Sequence, residues 1–137
     1  MNWKLLLWIG VGLAALGLVA WWIQPSEPAG LELTIVHTND VHAHYDSFEP
    51  WGESVQGGVA RLKTAVDAIR EGSDRVIYVD AGDHFQGTLF FTVGGAAVVA
   101  DVTNALGVDA MCLGNHELDA GPAELAAFVD QAHFPVL

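Results

Sequence analysis

Cysteine and basic side chains are both scarce in this chain, and each shortage removes a class of function. Cys112 is the single cysteine among 137 residues, so no intrachain disulfide can form. It lies within the apolar run Ala110 to Leu113 and reads as a small buried hydrophobe. Its position also excludes a lipoprotein anchor, which needs a cysteine just after an N-terminal apolar segment. Lys and Arg number five against seventeen Asp and Glu, for a net charge of −12. The five are Lys4 and four residues between Arg61 and Arg75, so no basic stripe exists to track a phosphate backbone, and polymeric nucleic acid is excluded as a partner. Also missing is a dinucleotide-binding fingerprint, because Gly57-Gly58 and Gly94-Gly95 lack its spacing. Much of the acidity reads as solvated surface, and part of it as carboxylates that a bound cation would offset.

One long apolar run is present, from Leu5 to Ile23. It nearly matches the roughly 20 residues that span a bilayer, with Trp21-Trp22 where an interfacial aromatic belt belongs. Lys4 precedes it and no basic residue follows soon after, which keeps the amino end cytoplasmic and exports the rest. Leu18-Val19-Ala20 fails the small-x-small rule for cleavage, which favours an uncleaved signal anchor over a signal peptide. Residues 1–30 are therefore expected to be a signal anchor or signal peptide with a polar linker, and residues 31–137 a domain outside the cytoplasm.

From Leu31 onward, strand and helix patterns alternate. Leu31, Leu33 and Ile35 alternate with Glu32 and Thr34, and the run ends in His37-Thr38-Asn39-Asp40, a strand delivering into a loop. A long loop with Trp51-Gly52 and Gly57-Gly58 follows. Val59, Leu62, Val66 and Ile69 then fall at helical spacing, stopped at Gly72. Arg75 to Asp80 reads as a buried parallel strand, Ala96 to Leu106 as a helix, and Asp109 to Leu113 as a third strand. Gly121-Pro122 opens a helix whose apolar face is Leu125, Phe128 and Val129, and Phe134 to Leu137 begins a fourth strand. The order β-α-β-α-β-α-β predicts an α/β domain with a mainly parallel sheet and right-handed crossovers. Ending within a strand suggests the amino-terminal portion of a longer protein, an incomplete domain over residues 31–137.

The polar clusters Asp40-Val41-His42, Gly82-Asp83 and Gly114-Asn115-His116-Glu117 each follow a strand, where open α/β sheets bind ligands. Asp40 and His42 are two apart and project to one side of an extended segment. Asp83 follows a glycine that permits a sharp turn, and Asn115-His116 sets a neutral oxygen beside an imidazole. Each cluster alone is weak, but their shared placement points to a metal centre.

The runs Leu33-Thr-Ile-Val-His-Thr-Asn-Asp-Val-His42, Gly58-Val-Ala-Arg-Leu62, Asp80-Ala-Gly-Asp-His-Phe-Gln-Gly87 and Gly114-Asn-His-Glu-Leu-Asp-Ala-Gly121 resemble the successive motifs of the 5′-nucleotidase branch of the calcineurin-like metallophosphoesterases. The resemblance implies a four-layered α/β/β/α domain with two divalent ions, of which Zn, Mn, Co or Mg would suit mixed oxygen and nitrogen ligands. It matches Asp40 and His42 to ligands of the first metal, Asp83 to the carboxylate bridging both, and Asn115 to a ligand of the second that also meets substrate. His116 and Asp119 match the catalytic pair, the imidazole meeting the phosphate and the carboxylate holding it. The implied substrate is a small phosphate ester, most directly a 5′-nucleotide. Family members draw further histidines from later strands and a nucleoside pocket from a carboxy-terminal domain. These have no counterpart here, so the chain alone is expected to be inactive, with its second metal site incomplete. The alternatives are an inactive metal-binding module and a membrane-anchored interaction protein.

The remaining polar and aromatic residues have plainer expectations. His44, His84 and His133 read as solvated or locally hydrogen-bonded, with His84 dispensable. His37 reads as a satisfied core or supporting histidine within the strand, Arg61 as a structural arginine, and Glu117 as orienting its loop. Trp51, Phe85, Phe90 and Phe91 read as packing residues.

Overall fold

The computed structural model describes residues 30–52 and 54–137. The anticipated N-terminal anchor lies outside the described residues. From Glu32 onward the chain forms one compact unit.

Three strands make a parallel sheet in the order β1 (Thr34–Thr38), β4 (Val76–Asp80), β5 (Ala110–Met111). A single parallel bridge from Met111 to Val136 sets a fourth segment beside β5. Between β1 and β4 lie a two-residue antiparallel pair, β2 (Ser47–Phe48) and β3 (Gln56–Gly57), and helix α1 (Val59–Gly72). Helix α2 (Leu89–Leu106) joins β4 to β5, and a 3-10 turn (His116–Leu118) precedes helix α3 (Pro122–Gln131). Parallel strands in sequential order with right-handed crossovers place all three helices on one face of the sheet. Val66, Val99 and Phe128 from those helices share one buried cluster with Tyr78 and Met111 of the sheet.

The alternation expected of the first strand is present, but its faces are exchanged. Thr34, Val36 and Thr38 turn inward, while Ile35 is 61% exposed, and its neighbour across the ladder, Ile77, is 40% exposed. The helices cover only one face, so an apolar residue on the other has nothing to pack against within these residues. His37 shares that open face and is exposed rather than a core histidine. Cys112 is likewise exposed rather than buried, because the ladder of β5 ends at Met111 and the next side chain points away from the helices.

Helix α2 begins seven residues earlier than its composition suggests, at Leu89, with the Thr88 hydroxyl accepting from the Phe90 amide. It is two helices in line. Gly95, at φ 61° and ψ −159°, breaks the ladder, and the second half restarts at Ala96, whose amide donates to Glu124 Oε1 of α3 at 2.6 Å. The anticipated helix at Ala96 is that second half. Although α2 has the length and hydropathy of a membrane span, Ala96, Val99, Ala100, Thr103 and Leu106 are buried, and it serves as the core helix. Helix α3 opens at Pro122, where a missing amide hydrogen costs nothing. Arg70 of α1 fastens the layers by donating to Gly107 O at 2.6 Å and Asp109 Oδ2 at 3.0 Å, and that same carboxylate oxygen accepts from the Tyr78 amide.

Candidate metal centre

The carboxyl ends of β1, β4 and β5 lie side by side, and the loops beyond them are stitched together by backbone hydrogen bonds. Asp40 N donates to Gly82 O at 3.0 Å and His42 N to Asp83 O at 2.9 Å, which lays the first loop along the second. Gly82 and Gly114 meet back to back. A Cβ on Gly82 would stand 2.2 Å from Gly114 N, and one on Gly114 would stand 2.1 Å from Asp83 Oδ1. Only glycine permits so close an approach.

Among the described residues six non-glycine positions have positive φ, and three of them are Asp40 (54°), His42 (46°) and Asp83 (60°). Such conformations cost free energy and persist where the surroundings enforce them, which is characteristic of functional sites. All three are among the ligand candidates that the sequence motifs point to.

His42, Asp83 and His116 each offer a ligating atom, and these atoms lie within 4.8 Å of one another. The two rings meet edge to face with centroids 5.0 Å apart. His42 Nδ1 lies 3.3 Å from Phe85 O and His116 Nδ1 lies 2.6 Å from Asp119 Oδ2. In each ring the oxygen can only accept, so Nδ1 carries a proton and Nε2 is free either to ligate, in the neutral ring, or to donate, in the imidazolium. Asp40 Oδ1 is 3.9 Å from His42 Nε2, which adds a second carboxylate at the rim. Two imidazoles and two carboxylates with oriented rings fit a divalent cation. Asp83 Oδ1 accepts from His116 N at 2.9 Å, tying the loop after β4 to the loop after β5. Asn115 is exposed on that second loop, next to His116. The hydrogen bond that His116 donates to Asp119 raises the His116 pKa above the ordinary imidazole value, so the imidazolium persists to higher pH.

A second polar group lies beneath the loops. His84, expected to be dispensable, is wholly buried with Nε2 2.9 Å from Asp80 Oδ2, which also accepts from Thr38 Oγ1. Burial works to raise the Asp80 carboxyl, but the His84 hydrogen bond and charge, Thr38 and the Gly82 amide outweigh it and hold the pKa below the ordinary value. Tyr45 is buried nearby, and burial, followed by the charges of Asp80 and Glu117, pushes its hydroxyl well above the usual phenol value. Glu117 is buried too, accepting backbone hydrogen bonds from both loops. Sequence reading missed Asp80 and Tyr45. The available signal for Asp80 was an acid at the end of an otherwise apolar strand, which demands a buried partner.

Of the other residues, Arg61 donates to Val55 O, a structural role as expected, and His44 Nδ1 pairs with Val41 O at 3.3 Å. Phe85 packs on Phe91 and Phe128, with centroids 4.5 and 5.7 Å away, and anchors the Asp83 loop into the core. Trp51, expected to pack, is fully exposed among the described residues.

Residues 33–135 match the family model for calcineurin-like phosphoesterases. The chain belongs to the calcineurin-like phosphoesterase family. Within it, similar proteins are 5′-nucleotidases: the human enzyme is 47% identical over 91% of this chain, and a Gloydius brevicauda venom 5′-nucleotidase 45% identical over 77%. The chain spans about a fifth of the length of these relatives, 22% and 19% respectively. Among solved structures it resembles the Haemophilus influenzae NAD nucleotidase, with a TM-score of 0.71 and 34% identity over 78% of this chain and 20% of that one. It also resembles a Thermus thermophilus 5′-nucleotidase precursor, with a TM-score of 0.69 and 44% identity over 77% and 21%.

Proposed function

We propose that the protein hydrolyses phosphate esters, with 5′-nucleotides or related nucleotides as the substrate class, at a centre of two divalent ions held by the loops beyond β1, β4 and β5. The convergence of His42, Asp83 and His116 within 4.8 Å carries this reading, supported by the 5′-nucleotidase relatives. Asp40 and His42 would hold the first ion, Asp83 would serve both, and Asn115 would serve the second and the substrate. Bound there, divalent cations supply activation of water and charge neutralisation on the phosphoryl oxygens. His116, its Nδ1 donating to Asp119, presents Nε2–H to a phosphoryl or leaving-group oxygen and stabilises the charge that develops there. Asp119 holds that ring in orientation. In the same reading a second sheet covers the open face carrying Ile35 and Ile77, completing four layers, and residues 1–30 carry the domain across the membrane as an anchor or leader. Venom homologues among the relatives favour an exported location. Because the resemblance implies ligands from later strands, turnover by this chain alone is expected to be negligible.

Metal uptake is the test. The chain equilibrated with Mn²⁺ and freed of excess should retain metal, and Asp83→Asn should lose most of it. Equal retention by the two overturns the bridging role of Asp83 and the centre built on it.

A further inference from the structure

Glu117 is a buried carboxylate to which, among the described residues, no cationic side chain is bonded, and its oxygens are filled by backbone amides. Oε1 accepts from His84 N at 2.7 Å and Phe85 N at 3.1 Å. Oε2 accepts from Asp83 N at 2.8 Å and Gly114 N at 2.7 Å. Its side chain is wholly shielded from solvent. Three successive amides of the loop after β4 and one from the loop after β5 therefore converge on a single group. Charge-assisted bonds of this kind are about twice as strong as neutral ones, and four on one carboxylate fix both loops against each other.

We infer that Glu117 is a positioning residue that presets the metal cluster before any ion arrives. The inference rests on the functional reading above. The link is short and structural. Glu117 grips the Asp83 amide, Asp83 in turn accepts from His116 N, and the carbonyl of Phe85, another gripped residue, receives His42 Nδ1. All three members of the cluster are thus tied to one buried carboxylate, Asp83 directly and the two histidines at one remove. Asp83 sits at φ 60°, a backbone setting it would leave without enforcement. A preset cluster spares an incoming ion the cost of ordering its ligands, so removing the grip should weaken metal binding while every ligand remains present.

The experiment pairs Mn²⁺ titration calorimetry with amide hydrogen exchange on the 137-residue chain. Glu117→Gln replaces one accepting oxygen by an NH₂ facing amide donors and should weaken Mn²⁺ binding at least tenfold in a chain that still melts cooperatively. Where Glu117→Gln does not fold, Glu117→Asp replaces it. That variant keeps the charge but is a methylene short of bridging both loops, and the same direction of change is expected. In the unsubstituted metal-free chain, the amides of Asp83, His84, Phe85 and Gly114 should exchange at least 100-fold more slowly than those of the exposed β2–β3 connection. A folded variant that binds Mn²⁺ as tightly as the unsubstituted chain, or four amides that exchange at loop rates, overturns the positioning role. Failure of the unsubstituted chain to take up Mn²⁺, by contrast, overturns the metal reading itself and this inference with it.

Discussion

Two carboxylate–histidine pairs, one where β4 runs into its loop and one on the loop after β5, are built from the same chemical parts and put to opposite uses. Asp80 and His84 pair at 2.9 Å with both side chains sealed from solvent. Asp119 and His116 pair at 2.6 Å with the imidazole 35% and the carboxylate 45% exposed. In the first pair, the surroundings exclude solvent, so the contact supports structure, and losing one member leaves the other stranded. In the second, water competes with each contact, so the pair contributes little to folding and is free to receive a ligand. Type of residue and distance do not separate the two. Exposure does.

The sharpest way to break this contrast is at the buried pair. Asp80→Ala leaves His84 and the Thr38 hydroxyl without their acceptor, and disruption of such buried pairs costs about 3–5 kcal/mol. Urea unfolding should show a midpoint lowered accordingly; an unchanged midpoint would place the pair among the dispensable contacts. The Asp80 pKa is depressed, so its stabilisation is complete above the ordinary carboxylate value of 3.8 and is lost only as pH falls through the lower folded value.

At the exposed pair the expected effects move from stability to chemistry. His116→Ala should leave the melting temperature unchanged and, in catalytically active protein, lower kcat by about 100-fold while metal content holds. Loss of metal in place of turnover would make His116 a ligand, as its membership of the three-residue cluster permits.

The smallest effect is expected from Asp119→Asn. Because Asp119 raises His116, any linked stabilisation is present below the ordinary imidazole value of 6.5 and fades as pH rises through the raised one. Without the carboxylate the ring should titrate at lower pH, read from its imidazole resonances, with the fold undisturbed. A titration midpoint that stays put would remove Asp119 as the cause.

The same distinction explains what sequence could and could not disclose. The order of elements was legible because apolar periodicity reports helix and strand, and the ligand candidates because they follow strands whose ends converge. The inward face of β1 was not legible. Leu33 and Ile35 look like a core stripe until it is known that all three helices lie on the far side of the sheet. His84 was misjudged for the parallel reason that a histidine near a loop reads as solvated unless the acid it pairs with is known to be buried. The start of α2 was hidden too, since Gly94-Gly95 signals a helix boundary when it marks a kink, closed by Glu124 from another helix. The misses on β1 and α2 concern partners distant in sequence, whereas for His84 the partner is four residues away and what was hidden is the burial of both.

The back-to-back contact of Gly82 and Gly114 has a consequence for anyone wishing to move this centre elsewhere. Two loops whose backbones touch with no room for a methyl group are a single transplantable piece, not two. A host sheet would have to accept both tips, their spacing and the strands that set it. Variation introduced into one tip would have to be screened together with the other, because neither has a shape of its own to be selected for.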